Sequence, residues 1–323
     1  MNRLNVIYLK DEGDDPLWNE IMTSTIAESH NVSVFDPMRP AHEQLADVDA
    51  VVDMGGELAR QELVDAAPSA KLWQIGKVGY DFFDMDLMRR AGIPVCNCPG
   101  STSAVGLAEA ALMFMLMIVH NYKESQDTLA KQQLYSPMGD ELEGKILGLI
   151  GFGASARALA RLAGPFGMRF MIMARRQIEP EALEEFRPDF VGSPSDMNRI
   201  FAEADFVSLH LALNSETKGI VSAEKIALMK PNAGFINVAR GDLVDQNALY
   251  SALLENRIAA IGTDVHAGMQ PDSKHPVYQH PRFYALPHVS GTTRATARRR
   301  GLVCLENINR IATGALLKCR VDQ

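Results

Sequence analysis

EGKILGLIGFGASARALARLAGPFGMRFMIMARR, residues 143–176, decides the fold. Ile146 to Ile150 is apolar apart from one glycine and reads as a strand. Gly151-Phe152-Gly153-Ala154-Ser155-Ala156 then fits the pattern G-x-G-x-x-G/A. Ala158, Leu159, Leu162 and Ala163 share one face of a helix, Gly164 and Pro165 end it, and Phe170 to Met173 reads as the next strand. This is a βαβ unit with glycines at its first strand-to-helix junction. Gly151 permits the tight turn. Gly153 lets backbone approach a pyrophosphate, which sits on the helix N-terminus where unpaired N–H groups and the dipole favour an anion. The spacing therefore predicts a bound dinucleotide.

Working outward, 323 residues suggest two domains, and 47% hydrophobic with 22% charged residues is ordinary for a globular protein. A net charge of -8 argues against nucleic acid or an anionic membrane as the main partner. Cys96, Cys98, Cys304 and Cys319 are too scattered along the chain for a disulfide framework and read as reduced core thiols. His30, His42, His266, His275 and His280 have no metal spacing, so no metal is expected. The first residues lack the apolar core and cleavage site of a secretory signal, and Ala110 to Val119 is too short for a membrane span. Cytoplasmic residence is the resulting expectation.

Upstream, strands are expected at Asn5–Leu9, Val32–Phe35, Ala50–Asp53, Leu72–Ile75 and Ile93–Cys96, with helices at Pro16–Glu28, Glu57–Ala66 and Asp84–Ala91. Such alternation implies a small parallel α/β domain, whose ligands meet strand C-termini at Asp53 to Gly56 and Gly76 to Gly79. Met54, Gly55 and Trp73 are expected to line a substrate pocket. After Pro99 one long helix is expected from Val105 through His120 towards Lys131, apolar on nearly every face and so buried. Downstream, the alternation resumes and a final helix runs from Thr293 to Thr313. His210, Asn237, Arg240, Asp264 and His288 each follow an apolar strand, and in an open α/β sheet those ends share the rim that carries the glycine turn.

Asn237-Val238-Ala239-Arg240-Gly241-Asp242-Leu243-Val244-Asp245, Thr263-Asp264-Val265 and Leu286-Pro287-His288-Val289-Ser290-Gly291 resemble the signature stretches of the D-isomer-specific 2-hydroxyacid dehydrogenases. Val207 to Leu211, Thr217-Lys218-Gly219, Met229-Lys230-Pro231 and Gly79-Tyr80-Asp81 match in order. The resemblance implies an α/β protein of two Rossmann-like domains. A flavodoxin-like substrate domain comprises residues 1–99 plus 292–323, and a dinucleotide-binding domain with a parallel sheet, residues 100–291, is inserted into it. It implies a homodimer built largely on the long helix, and an active site in the cleft. The implied chemistry is hydride transfer between a nicotinamide dinucleotide and a small 2-keto or 2-hydroxy acid of the glyoxylate or hydroxypyruvate type. Arg240 pairs with the substrate carboxylate and polarises its carbonyl, a task for a planar two-donor cation. His288 protonates the forming alkoxide. Backbone N–H groups of Val78 and Gly79 hold the carboxylate's other side. The cofactor lies against Gly151, Phe152, Gly153, Ala154 and Ser155, then His210, Leu211 and Thr217, then Val238, Ala239, Arg240 and His288, with Asp264 fixing the carboxamide.

Departures from the family pattern sharpen these expectations. Where relatives carry a Glu that pairs with the catalytic His, this chain reads Asp264-Val265-His266-Ala267-Gly268-Met269-Gln270-Pro271. Gln270, or Met269 by strict spacing, takes that place. Glutamine can fix an imidazole tautomer but supplies no charge to stabilise imidazolium, so reduction should favour acidic pH. Gln-Pro here also resembles the NAD-dependent formate dehydrogenases of the same superfamily, though their formate-holding Asn aligns with Ser103. A dinucleotide sensor or corepressor on this scaffold is a third reading. About twenty residues past the glycines, NAD users carry an acidic residue on the ribose hydroxyls. Here Ala174 stands there, followed by Arg175 and Arg176, which favours NADP(H), with NAD(H) as the alternative. Ala156, at the third glycine position, should loosen helix–strand packing slightly. Arg294, Arg298, Arg299 and Arg300 on the last helix read as a cleft rim or solvated face.

Overall fold

The computed structural model describes residues 2–55, 60–81, 83–269 and 271–323. These divide into two compact units, residues 1–102 with 292–323 and residues 103–291.

The first unit holds β1 (Asn5–Leu9), β2 (Asn31–Val34), β3 (Ala50–Asp53), β4 (Leu72–Ile75) and β5 (Val95–Cys96), in the order β2-β1-β3-β4-β5. All pairs are parallel, and the order is that of flavodoxin-like sheets. β3 and β4 are buried throughout, as parallel strands covered on both faces must be. Helices Pro16–Ala27 and Arg294–Thr313 pack against each other, with Thr25 against Gly301 at a separation only glycine allows. Of the expected Glu57–Ala66 helix, the described part is Gln61–Asp65; residues 56–59 lie outside the described residues. Met54 and Trp73, expected in a substrate pocket, are both 0% exposed, so they pack the core instead. The Trp73 indole donates to the buried Asp53 carboxylate at 2.9 Å, which consumes the polar end of the ring. Cys98 and Cys304, distant in sequence, meet in this core. Their hydrogen bond and burial push the Cys304 thiol well above the ordinary thiol range.

The second unit holds β6 (Ile146–Ile150), β7 (Arg169–Met173), β8 (Phe190–Gly192), β9 (Phe206–Leu209), β10 (Gly234–Asn237), β11 (Ala260–Thr263) and β12 (Phe283–Ala285). Their order is β12-β11-β10-β9-β6-β7-β8, with every pair parallel. The chain winds outward from β6 in both directions, so the order reverses between β6 and β9, the arrangement of a dinucleotide-binding Rossmann sheet. β8 and the helix Pro180–Phe186 are additional to the elements expected from the sequence.

The single long helix expected after Pro99 is two helices, Ala104–Val119 and Tyr122–Ala130, bent by 53°. The break falls at Asn121, whose φ of 47° is the left-handed conformation that asparagine tolerates through local hydrogen bonds. Its side chain donates to the Met138 carbonyl at 2.8 Å, and the Asp140 N–H takes the Val119 carbonyl at 2.7 Å, so the helix end is satisfied from outside. The first helix packs on β10 and β11. A Cβ on Gly262 would stand 2.6 Å from the Phe114 side chain, so the sheet is bare where the ring docks. Among the described residues no single helix is long and apolar enough to cross a membrane.

Phe114 is 1% exposed and anchors that contact. Phe114→Ala should therefore cost about 3–5 kcal/mol in urea unfolding at neutral pH; a loss below about 1 kcal/mol would mean that the helix is held elsewhere.

Candidate active site

Strand register builds the site. Ile150 pairs with Leu209, Leu209 with Asn237, Asn237 with Thr263 and Thr263 with Ala285. The residues that follow these positions therefore emerge side by side along one edge of the sheet. They are Gly151, His210, Val238, Asp264 and Leu286.

At the centre lies the glycine turn. Gly151 has φ 92°, and a Cβ there would stand 2.7 Å from the His210 carbonyl oxygen, so the position admits only glycine. A Cβ on Gly153 would meet nothing within 4 Å, and Gly153 and Ala154 are exposed. Beside them the helix Ala154–Ala163 starts with no side-chain cap. Room, uncapped N–H groups and a helix dipole fit a pyrophosphate at Gly153, Ala154 and Ser155. Phe152 turns inward, 9% exposed, and meets Phe186 edge-on at 5.4 Å. Ala156 is 0% exposed in the same core, so its methyl is accommodated in close packing.

His210, expected to lie against the cofactor, has both ring nitrogens engaged by the fold. One ring nitrogen lies 3.0 Å from the Ser155 hydroxyl and the other 3.0 Å from the Ser208 hydroxyl. Burial drives its pKa down from 6.5 to about 3, so the ring is neutral at physiological pH. It ties the first turn of the helix to β9. Leu211 follows, partly buried against the core. Thr217 closes its own loop, its hydroxyl donating to the Ala212 carbonyl at 2.7 Å.

Asn237 is also committed to the fold. Its side chain accepts from the Ala239 N–H at 3.0 Å and donates to the Arg240 carbonyl at 2.9 Å, bracketing the turn that presents Arg240. Val238 is buried, whereas Ala239 and Arg240 are partly exposed. The Arg240 guanidinium donates back to the Ala239 carbonyl at 2.8 Å.

Asp264 is 1% exposed, and its two oxygens accept the backbone N–H groups of Val289 and Ser290 at 2.8 and 2.9 Å. These close a turn at whose centre the exposed His288 adopts φ 61°. A non-glycine residue in that region costs roughly 1–3 kcal/mol and persists only where its surroundings hold it. The Asp264 clamp does so. Further round the edge, the Arg175 guanidinium pairs with Glu216 at 3.0 Å, a contact the sequence did not foreshadow, while Arg176 is exposed. Gln270 lies outside the described residues, so the expectation placed on it has no structural counterpart.

In the first unit, Val78 and Gly79 follow β4 in a partly buried loop. Asn97 holds the Val78 carbonyl at 2.7 Å, Cys98 holds the Lys77 carbonyl at 3.0 Å, and the Lys77 ammonium pairs with Asp11 at 2.7 Å.

With this geometry in view, residues 112–290 match the family model described as D-isomer specific 2-hydroxyacid dehydrogenase, NAD binding domain. The chain belongs to this family. It is 31% identical over 294 residues to a glyoxylate reductase of Thermococcus litoralis, covering 87% of each chain. A hydroxypyruvate reductase of Thermotoga maritima is 31% identical over 268 residues, covering 82% of this chain and 85% of the relative. Among solved structures, a glyoxylate reductase from Paecilomyes thermophila superposes with a TM-score of 0.79 at 26% identity, covering 99% of each chain. As a member of the D-isomer specific 2-hydroxyacid dehydrogenases, the protein is a nicotinamide-dinucleotide-dependent oxidoreductase acting on CH–OH donors. No group of three or more His, Cys, Asp or Glu that could hold a metal ion occurs among the described residues.

The depressed pKa of His210 has a consequence for stability. Above pH 6.5 its ring is neutral in both folded and unfolded chains. Below that the unfolded chain binds a proton that the folded chain refuses until about pH 3, so stability falls as pH falls through this window. His210→Gln should flatten that part of the acid limb in urea titrations; an unchanged slope would show that other groups carry it.

Proposed function

We propose that the protein reduces glyoxylate, hydroxypyruvate or a similarly small 2-keto acid to the D-2-hydroxy acid, with NADPH preferred over NADH. What carries the reading is the pair of braced turns, one presenting Arg240 and the other His288, on the same sheet edge as the glycine turn. The nicotinamide supplies the hydride. Arg240 pairs with the substrate carboxylate and polarises the adjacent carbonyl, and both tasks suit a planar cation with several donors. His288 delivers the proton to the forming alkoxide oxygen and removes it in the oxidative direction. Val78 and Gly79 are proposed, from the family pattern, to give backbone N–H groups to the carboxylate. Asp264 has lone-pair capacity beyond its two backbone partners with which to accept from the carboxamide. The exposed side of helix Ala104–Val119, which includes Val105 and Met113, is read as the homodimer contact the family pattern implies.

The cofactor preference rests on Ala174, which presents no carboxylate to repel a 2′-phosphate, and on Arg175 and Arg176 beside it. Glu216 does not remove Arg175 from this role. Both partners of that ion pair are about two-thirds or more exposed, at 67% and 72%. Exposed pairs are worth roughly 0–1 kcal/mol, less than a charge-assisted hydrogen bond from arginine to phosphate.

Arg240→Ala and His288→Ala should each lower turnover by several orders of magnitude while leaving dinucleotide affinity nearly intact; near-normal turnover in either variant would sink the assignment of roles. Fluorescence titration should give tighter NADPH than NADH binding, with the difference reduced in Arg175→Ala. Tighter NADH binding in the wild-type chain would overturn the preference.

A further inference from the structure

We propose that His266 is a positioning residue for the reaction, the brace that sets the His288 turn against the Arg240 turn. This rests on the reading of Arg240 and His288 given above. His266 stands two residues after Asp264 and is 8% exposed. Its Nε2 lies 3.2 Å from the Leu286 carbonyl oxygen and its Nδ1 lies 3.0 Å from the Tyr278 hydroxyl. A carbonyl can only accept, so Nε2 carries the proton and donates, and in the neutral ring Nδ1 accepts from Tyr278. Leu286 is two residues before His288. The turn that holds His288 at φ 61° is thus gripped on both sides, by Asp264 through Val289 and Ser290 and by His266 through Leu286.

The backbone of the same residue meets the other turn. A Cβ on Gly241 would stand 2.1 Å from the His266 carbonyl carbon, so the residue after Arg240 is in direct backbone contact with His266. The next two peptides tie in as well. Ala267 donates its N–H to Gln246 at 2.8 Å, and Gly268 donates its N–H to Asp242 at 3.1 Å. One short segment therefore touches the turn of the carboxylate-binding group with its backbone and the turn of the proton donor with its side chain. An apolar ring could fill this space but would leave the Leu286 carbonyl and the Tyr278 hydroxyl without these partners. Two placed hydrogen bonds, one ending on the peptide chain that leads to His288, are what histidine adds.

The test compares His266→Phe, which keeps a ring and deletes both hydrogen bonds, with His266→Gln, whose amide can still donate to Leu286. His288→Gln and the wild-type chain run beside them. Steady-state reduction of glyoxylate and hydroxypyruvate, dinucleotide affinity by fluorescence and thermal midpoint are measured on each. His266→Phe should lose roughly 10- to 100-fold in kcat, the scale of a small misplacement of a reacting group, with dinucleotide affinity held and at most a modest fall in midpoint from the two lost hydrogen bonds. His266→Gln should recover most of that loss. Unchanged kcat in His266→Phe beside an inactive His288→Gln would overturn the brace alone. Equal loss in both His266 variants, tracking loss of midpoint and dinucleotide affinity, would overturn it in favour of a purely structural role. Full activity of His288→Gln would instead refute the underlying assignment of His288.

Discussion

The end of the second sheet depends on one buried carboxylate. Asp264 follows β11 and spends both oxygens on the peptide N–H groups of Val289 and Ser290, beyond β12. A buried carboxylate without such partners would cost several kcal/mol, so the turn and the charge stabilise each other. Because the turn is closed, His288 can be held in a left-handed conformation that its side chain disfavours. His288, the proposed proton donor, is thereby exposed to solvent yet fixed in backbone.

The same economy runs along the sheet edge. Parallel strands in register deliver five chain exits side by side, and several of the polar side chains there are consumed in shaping backbone. His210 joins two serines, Asn237 brackets the Arg240 turn, and Thr217 closes its own loop. Arg240 stands at a partly exposed position and His288 at an exposed one. Local polarity is thus high while much of it serves the backbone, which fits the proposed site, where a cofactor would carry the reactive hydride and the protein would orient and protonate.

Much of this was legible in the chain. The glycine turn was readable because a bare backbone, a strand and a helix N-terminus leave separate marks in sequence, and the motifs around Arg240, Asp264 and His288 pointed to the family to which the chain belongs. Contacts between distant residues were not legible. Nothing in the spacing places Glu216 on Arg175, Cys304 on Cys98, or His266 under the Leu286 carbonyl. Hydrophobic pattern also misled twice. The helix after Pro99 looked continuous because apolar residues run on towards its break, whereas Asn121 turns the chain in a left-handed conformation and bonds to Met138, which hydropathy does not register. Met54 and Trp73 were expected in a pocket, but both faces of this parallel sheet are covered, so both side chains are buried in core.

The most direct measurement is oxidation of NADPH by the purified protein in the presence of glyoxylate, hydroxypyruvate, pyruvate or phenylpyruvate, with chiral analysis of any product that has a stereocentre. Turnover should be fastest with glyoxylate or hydroxypyruvate, with a D-configured product from the latter. Tight dinucleotide binding with no turnover of any 2-keto acid, or reduction of NAD by formate in the reverse assay, would contradict it.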